Sequence, residues 1–197
     1  MKPPTQIAHV VFGTHRYAEM VHFYRTLFDA RVKSSSTDAI SFLTYDEEHH
    51  RLAIVDLGPE QSTIAQREPG SGLRHIAFSW DTVGDLMNVY RQARDVLGVV
   101  PTIATRHGAS LSMYYDDPDG NRIELQVDTL DAEAADAFMS TDAFRSNPLG
   151  QPFDPEELVG ALTRGEPIDH LILRDDQPQS SHRTCHTHPQ AKDVPNE

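Results

Sequence analysis

Tyr114–Gln126 reads YYDDPDGNRIELQ, and its punctuation decides how the rest of the chain is read. Extended runs flank Asp117-Pro118-Asp119-Gly120, in which Pro118 presets one turn position and Gly120 tolerates the positive φ that a tight turn demands. The return run alternates Arg122, Glu124 and Gln126 with Ile123, Leu125 and Val127, the period of two that separates the faces of a β-strand. The stretch is therefore a hairpin, and Glu124 is a lone carboxylate among apolar neighbours. An edge strand with a solvated polar face would account for it; two histidines upstream argue for more.

Those histidines sit in a repeated pattern. Leu73–Trp80 (LRHIAFSW) is an apolar strand with one histidine inside it, and Asp81 or Thr82 can cap the helix that follows. That helix places Val83, Leu86, Met87, Tyr90, Ala93 and Leu97 on its buried stripe, and Gly98 stops it. Strands at about Val99–Thr105, Ser110–Tyr115 and Asn121–Val127 complete the unit. Earlier in the chain, Ile7–Phe12 (IAHVVF) is again a short apolar strand holding one histidine. Thr14 can cap a helix from Arg16 to Ala30, with Tyr17, Met20, Val21, Tyr24, Leu27 and Phe28 at helical spacing. Strands near Ala30–Ser35, Ala39–Tyr45 and His50–Leu57 follow. The chain thus carries a βαβββ unit twice, with AHVVF answered by RHIAF and a Gly/Pro/Gln/Ser-rich connector, Gly58–Gly72, between them. A repeat this long implies a duplicated half-domain. The expected fold class is α+β, with paired βαβββ units forming one cup-shaped mixed sheet.

The 197 residues suit a module at 5–128, made of halves 5–57 and 73–128, then a helical extension or lid at 129–174 and a disordered tail at 175–197. Within the extension the pattern predicts an acidic, Ala-rich helix at Asp131–Phe144, a loop through NPLGQPFDP and a short helix at Pro155–Arg164. A net charge of −13 with no Lys/Arg cluster argues against nucleic acid and anionic membranes as partners. No apolar run approaches the ~20 residues of a membrane span, and MKPPTQIAHVVF lacks the shape of a signal peptide. The single cysteine, Cys185, has no internal disulfide partner, which makes a reducing cytoplasm the expected location. Its polar surroundings also make it a poor nucleophile.

Aligning the halves matches His9 with His75, 66 residues apart (75 − 9), and Glu124 follows 49 residues later (124 − 75). Pseudo-symmetry would point both imidazoles into the cup, and Glu124 can reach it from the last strand. Two imidazoles and one carboxylate form a facial triad that leaves half an octahedron open, which suits non-haem Fe(II) taking substrate and dioxygen together. Matching NRIELQ to HRLAIV sets Ala53 where a fourth donor would stand, so the metal has three protein ligands. A lone histidine in an apolar strand is more often a hydrogen-bonded core residue. Two at repeat-related positions with a matching acid favour the metal.

The paired units and the motifs IAHVVF, LRHIAF and DPDGNRIEL resemble the vicinal oxygen chelate superfamily, and within it the one-module type I extradiol catechol dioxygenases. The resemblance covers roughly Ile7–Val127. It implies that His9, His75 and Glu124 ligate Fe(II), with Mn(II) as an alternative, and that no other cofactor is needed. It also implies an acid/base role for His50 in HHRLA, an active-site role for Tyr114 in S-x-Y-Y, and a neighbouring catalytic role for His107. A surface pair for His49 and His50, a loop position for His107 and a half-buried strand tyrosine are the plain alternatives. His49 should face away from His50. The implied partners are a catecholic small molecule and dioxygen, the implied product is a muconic semialdehyde type, and the implied assembly is a homo-oligomer, dimer or higher. A glyoxalase-like lyase or isomerase would use a donor where Ala53 stands, and a bleomycin-resistance-type binding protein would need no triad. His15, His22 and His170 carry no such support, and His182, His186 and His188 belong to a solvated tail.

Overall fold

A computed structural model describes residues 2–37, 39–59 and 72–176. Strand β1 (Val10–Thr14) leads through helix α1 (Tyr17–Leu27) to β2 (Arg31–Thr37), β3 (Ile40–Thr44) and β4 (Leu52–Asp56). A second pass runs β5 (Ile76–Trp80), α2 (Val83–Gln92), β6 (Ile103–Arg106), β7 (Ser110–Asp116) and β8 (Arg122–Asp128), with a π-helical turn at Ala93–Leu97 after α2. The sheets have the orders β1-β4-β3-β2 and β5-β8-β7-β6-β9. Each pass therefore lays down its strands as first, fourth, third, second, so the sequence repeat is a repeat of topology. The α+β class and the paired units stand. The strands hydrogen-bond as two sheets, however, where a single one was expected, because the first strand of each pass ladders with the fourth strand of its own pass.

By packing, the chain divides into two compact units interleaved in sequence. One comprises Met1–Ile76, Val89–Thr102 and Tyr115–Ile123; the other comprises Ala77–Asn88, Ile103–Tyr114 and the chain from Glu124 onward. In the first, β1 runs parallel to β4 and β3 antiparallel to both β4 and β2. α1 packs on β4 and on the π-helical turn, burying Met20, Phe23, Tyr24 and Leu27. Burial of such side chains is worth about 1.5–3 kcal/mol each by transfer. Phe23 replaces the expected Val21 on this stripe, which is rotated by part of a turn. The helix starts at Tyr17, after Arg16 N–H donates to Thr14 Oγ1 (2.8 Å).

α2 buries Val83, Leu86, Met87 and Tyr90 as its spacing requires. Its start is fixed reciprocally: Asp85 N–H donates to Thr82 Oγ1 (3.1 Å) and the Thr82 hydroxyl donates to Asp85 Oδ2 (2.6 Å). The second unit has its own core, which includes Leu111, Met113, Leu125, Val127, Phe138, Leu158 and Ile172.

The extension departs most from expectation. The helix expected at Asp131–Phe144 is two, α3 (Ala132–Met139) and α4 (Asp142–Ser146), because Thr141 accepts from Phe144 N–H and caps a new start. Inside the expected loop, β9 (Gln151–Pro152) pairs with β6 through Thr105↔Pro152 and Arg106↔Gln151. Proline is compatible with this outermost strand, whose outer side needs no ladder donor. α5 (Pro155–Arg164) forms as read, and a short α6 (Asp169–Ile172) follows. Residues 60–71 of the connector and the tail from 177, with Cys185, His182, His186 and His188, lie outside the described residues. Among the described residues no helix is long and apolar enough to cross a membrane.

Candidate active site

In the first sheet the register sets Val11 beside Ala53 and Ala53 beside Phe42. Directly paired residues share a face, so these three form an apolar wall, with Ala53 buried at its centre. His9 lies just before β1, exposed and one step outside the strand that was expected to contain it. His50 likewise precedes β4, in a bend. Its ring stands 4.5 Å from that of His9 and 5.0 Å from that of Phe42, centroid to centroid. Burial, then the neighbouring charges of His49 and His9, hold the His50 imidazole below the usual histidine range.

His49 does not face away from His50. The two rings are 4.4 Å apart and paired through Nδ1, because strand alternation does not apply in a bend. Arg51, which sequence reasoning passed over, holds this arrangement. Its Nε donates to Asp46 Oδ2 (2.8 Å), and its Nη1 reaches the carbonyls of Ile7 (3.4 Å) and Ala8 (3.3 Å), just ahead of His9. The signal was its position directly after His50.

The hairpin read first from the sequence is organised by Asp117. Its carboxylate accepts from Asn121 N–H (2.8 Å) and from the Tyr24 hydroxyl (2.9 Å). Burial and this carboxylate push the Tyr24 hydroxyl far above the usual tyrosine range. Asp117 N–H closes on the Asn121 carbonyl (3.0 Å), and at the other end of the strand pair Thr129 N–H donates to the Ala109 carbonyl (2.9 Å). Both bonds belong to the same antiparallel register, in which Tyr114 stands opposite Glu124. Directly opposite residues share a face.

β8 lies between β5 and β7, which excludes the edge-strand explanation of Glu124. Glu124 as a residue is 6% exposed. Gln126 Nε2 donates to Ser79 Oγ (2.8 Å), so the face of β8 that carries Glu124 continues onto Ala77 and Ser79 of β5. His75 immediately precedes β5, exposed, as His9 precedes β1. His107 Nε2 and the Tyr114 hydroxyl are 3.1 Å apart, with the rings nearly perpendicular at 87°.

The structure therefore pairs His9 with His50 and His107 with Tyr114, and it sets Tyr114 against Glu124. Among the described residues, no three His, Cys, Asp or Glu side chains stand close enough together to hold an ion. The donors are nonetheless the right kind for one: two imidazoles on exposed residues and the carboxylate of a buried one, the His₂-carboxylate set. A separate cleft of about 260 Å³, lined by Arg106, Pro152, Phe153, Asp154, Glu157 and Leu171, contains none of these residues.

Residues 6–125 match the Glyoxalase/Bleomycin resistance protein/Dioxygenase superfamily. The chain is 37% identical over 173 residues, 87% of its length and 88% of the relative's, to biphenyl-2,3-diol 1,2-dioxygenase 2 of Rhodococcus globerulus. It is also 37% identical over 171 residues to biphenyl-2,3-diol 1,2-dioxygenase 3 of the same organism, covering 86% and 88%. Among solved structures, a lactoylglutathione lyase from Agrobacterium tumefaciens aligns at 20% identity and a TM-score of 0.48, over 64% of this chain and 96% of that one.

Proposed function

This chain belongs to the Glyoxalase/Bleomycin resistance protein/Dioxygenase superfamily, and from that premise we propose that it is an extradiol, ring-cleaving dioxygenase that binds Fe(II) through His9, His75 and Glu124. The observation that carries the reading is the reach of the similarity. An alignment of 173 residues is longer than the 125 that end the family match, so likeness to the two biphenyl-diol dioxygenases runs into the C-terminal extension. Held by these three residues, Fe(II) would supply the Lewis-acid and redox chemistry that joins a catechol to dioxygen.

The chain's own residues do the rest. Phe42, Val11 and Ala53 offer an apolar wall against which an aromatic ring can lie and from which water is excluded. With Nδ1 engaged by His49, His50 takes and returns a proton at Nε2, and its depressed proton affinity keeps it neutral and ready to accept. The Tyr114 hydroxyl and His107 Nε2 form a second proton-holding pair, and Tyr114 stands opposite Glu124 in the β7/β8 register. Ala53 offers no fourth donor at the position of β4 that answers Glu124. The substrate is a catechol and the product a muconic semialdehyde type.

The test is anaerobic reconstitution with Fe(II), and with Mn(II) in parallel, followed by oxygen uptake and the yellow ring-opened chromophore. Catechol, 3-methylcatechol and 2,3-dihydroxybiphenyl form the panel. One metal ion per chain without oxygen uptake on any diol would overturn the reading.

A further inference from the structure

The C-terminal extension closes on the backbone of His107. Arg174, whose side chain is 0% exposed, is gripped on one side by Asp176 through Nε (2.8 Å) and Nη2 (2.6 Å). Its remaining donors point at main-chain carbonyls: Asn147 (2.8 Å), Ala143 (3.3 Å) and His107 (3.4 Å). The ring of Phe138 covers the guanidinium at 5.2 Å. The same ring fills the space that a side chain on residue 108 would need, and Gly108 has φ +101°. Only glycine meets both conditions comfortably. Thr129 then donates its hydroxyl to the Gly108 carbonyl (2.8 Å), and His107 N–H donates to the Ser110 carbonyl (2.8 Å).

A buried guanidinium is costly unless its donors are satisfied, and here, beyond Asp176, they are spent on the carbonyls of Ala143 in α4, Asn147 just after it and His107. A core residue would serve stability alone more cheaply. What the contacts fix is the backbone from which the His107 imidazole reaches the Tyr114 hydroxyl. We propose that Arg174, with Phe138 and Thr129, is a positioning residue for ring cleavage: it holds the His107 main chain so that Nε2 meets the Tyr114 hydroxyl. This rests on the dioxygenase reading above and gives the extension a part in the site.

The experiment is a double-mutant cycle in the full-length Fe(II)-loaded enzyme, with iron per chain and circular dichroism as controls. Arg174→Met should lower kcat about 10- to 100-fold, the usual cost of losing a supporting partner, with KM and iron content little changed. In a His107→Gln background the same substitution should cost almost nothing more, because residues that act through one another are not additive. Hydrogen exchange at the His107 amide should quicken in Arg174→Met, a readout that does not depend on turnover. Thr129→Val removes one bond at the same loop and should shift kcat in the same direction, by less; it carries the cycle should Arg174→Met fold poorly. Full additivity with a slow His107→Gln enzyme would overturn the positioning role alone. A His107→Gln enzyme with unchanged kcat would remove His107 from the reaction, and the positioning role with it.

Discussion

The two passes of the chain share a strand order and a histidine just before the first strand, yet their fourth strands differ in kind. In β4 the residue that answers Glu124 in the repeat is Ala53, shut between Val11 and Phe42. In β8 that position is held by Glu124, also buried, with Tyr114 opposite. The frame is repeated and the chemistry is not: the first pass carries an apolar patch beside His50, and the second carries a carboxylate beside a hydroxyl.

The hardest blow to this contrast is Glu124→Ala, which makes the second pass resemble the first. Iron per chain, read by atomic emission, should fall to near zero and oxygen uptake on catechols to background, while circular dichroism stays native. The reciprocal change, Ala53→Glu, should lower Tm without raising metal content, because Ala53 is closed in by Val11 and Phe42 and a buried unpaired carboxylate is unfavourable. Retention of iron by Glu124→Ala would show that the asymmetry between the passes is not what selects the metal.

The next effect separates the base from the ligands. His50→Gln removes the proposed proton carrier of the first pass while leaving His9, His75 and Glu124 in place. Iron content should hold and kcat should fall by roughly 10²- to 10⁴-fold, the usual worth of a general acid/base. Unaltered turnover would move the proton transfer to the Tyr114–His107 pair in the second pass.

Much of this contrast was legible in the sequence because it rests on period and spacing. The duplicated βαβββ pattern, the Asp-Pro-Asp-Gly turn and the alternation through Glu124 are local signals, and the structure keeps each. Ala53 could be matched to Glu124 for the same reason. What could not be read is whatever depends on the chain leaving regular structure or returning from afar. His49 pairs with His50 because a bend breaks alternation just there. β9 forms because a Gln-Pro dipeptide finds the free edge of β6, its partners 45 and 47 residues earlier (151 − 106 and 152 − 105). Arg51 and Arg174 act on main-chain carbonyls, which leave no mark in side-chain patterning. The one helix expected after Asp131 is two because Thr141 is more useful as a cap than as a helix interior.

The smallest expected effect probes the bend that sets the two passes apart. Burial is the main cause of His50's depressed proton affinity, followed by the charges of His49 and His9. In the metal-free protein, His49→Ala removes one of those charges while leaving the burial, so His50 should titrate closer to the ordinary histidine value of about 6.5 without reaching it. The sign for stability follows. A base whose proton affinity is lower in the folded state contributes stability that is present above its unfolded pKa and lost as the pH falls through the folded one. Reducing the depression shrinks that loss, so Tm should drop less between pH 7 and pH 5 in His49→Ala than in the parent. Imidazole C–H resonances followed by NMR across the same range give the His50 midpoint directly. A midpoint that does not move would mean that His49 does not act on His50 electrostatically and that the bend serves only to fix where the His50 ring stands.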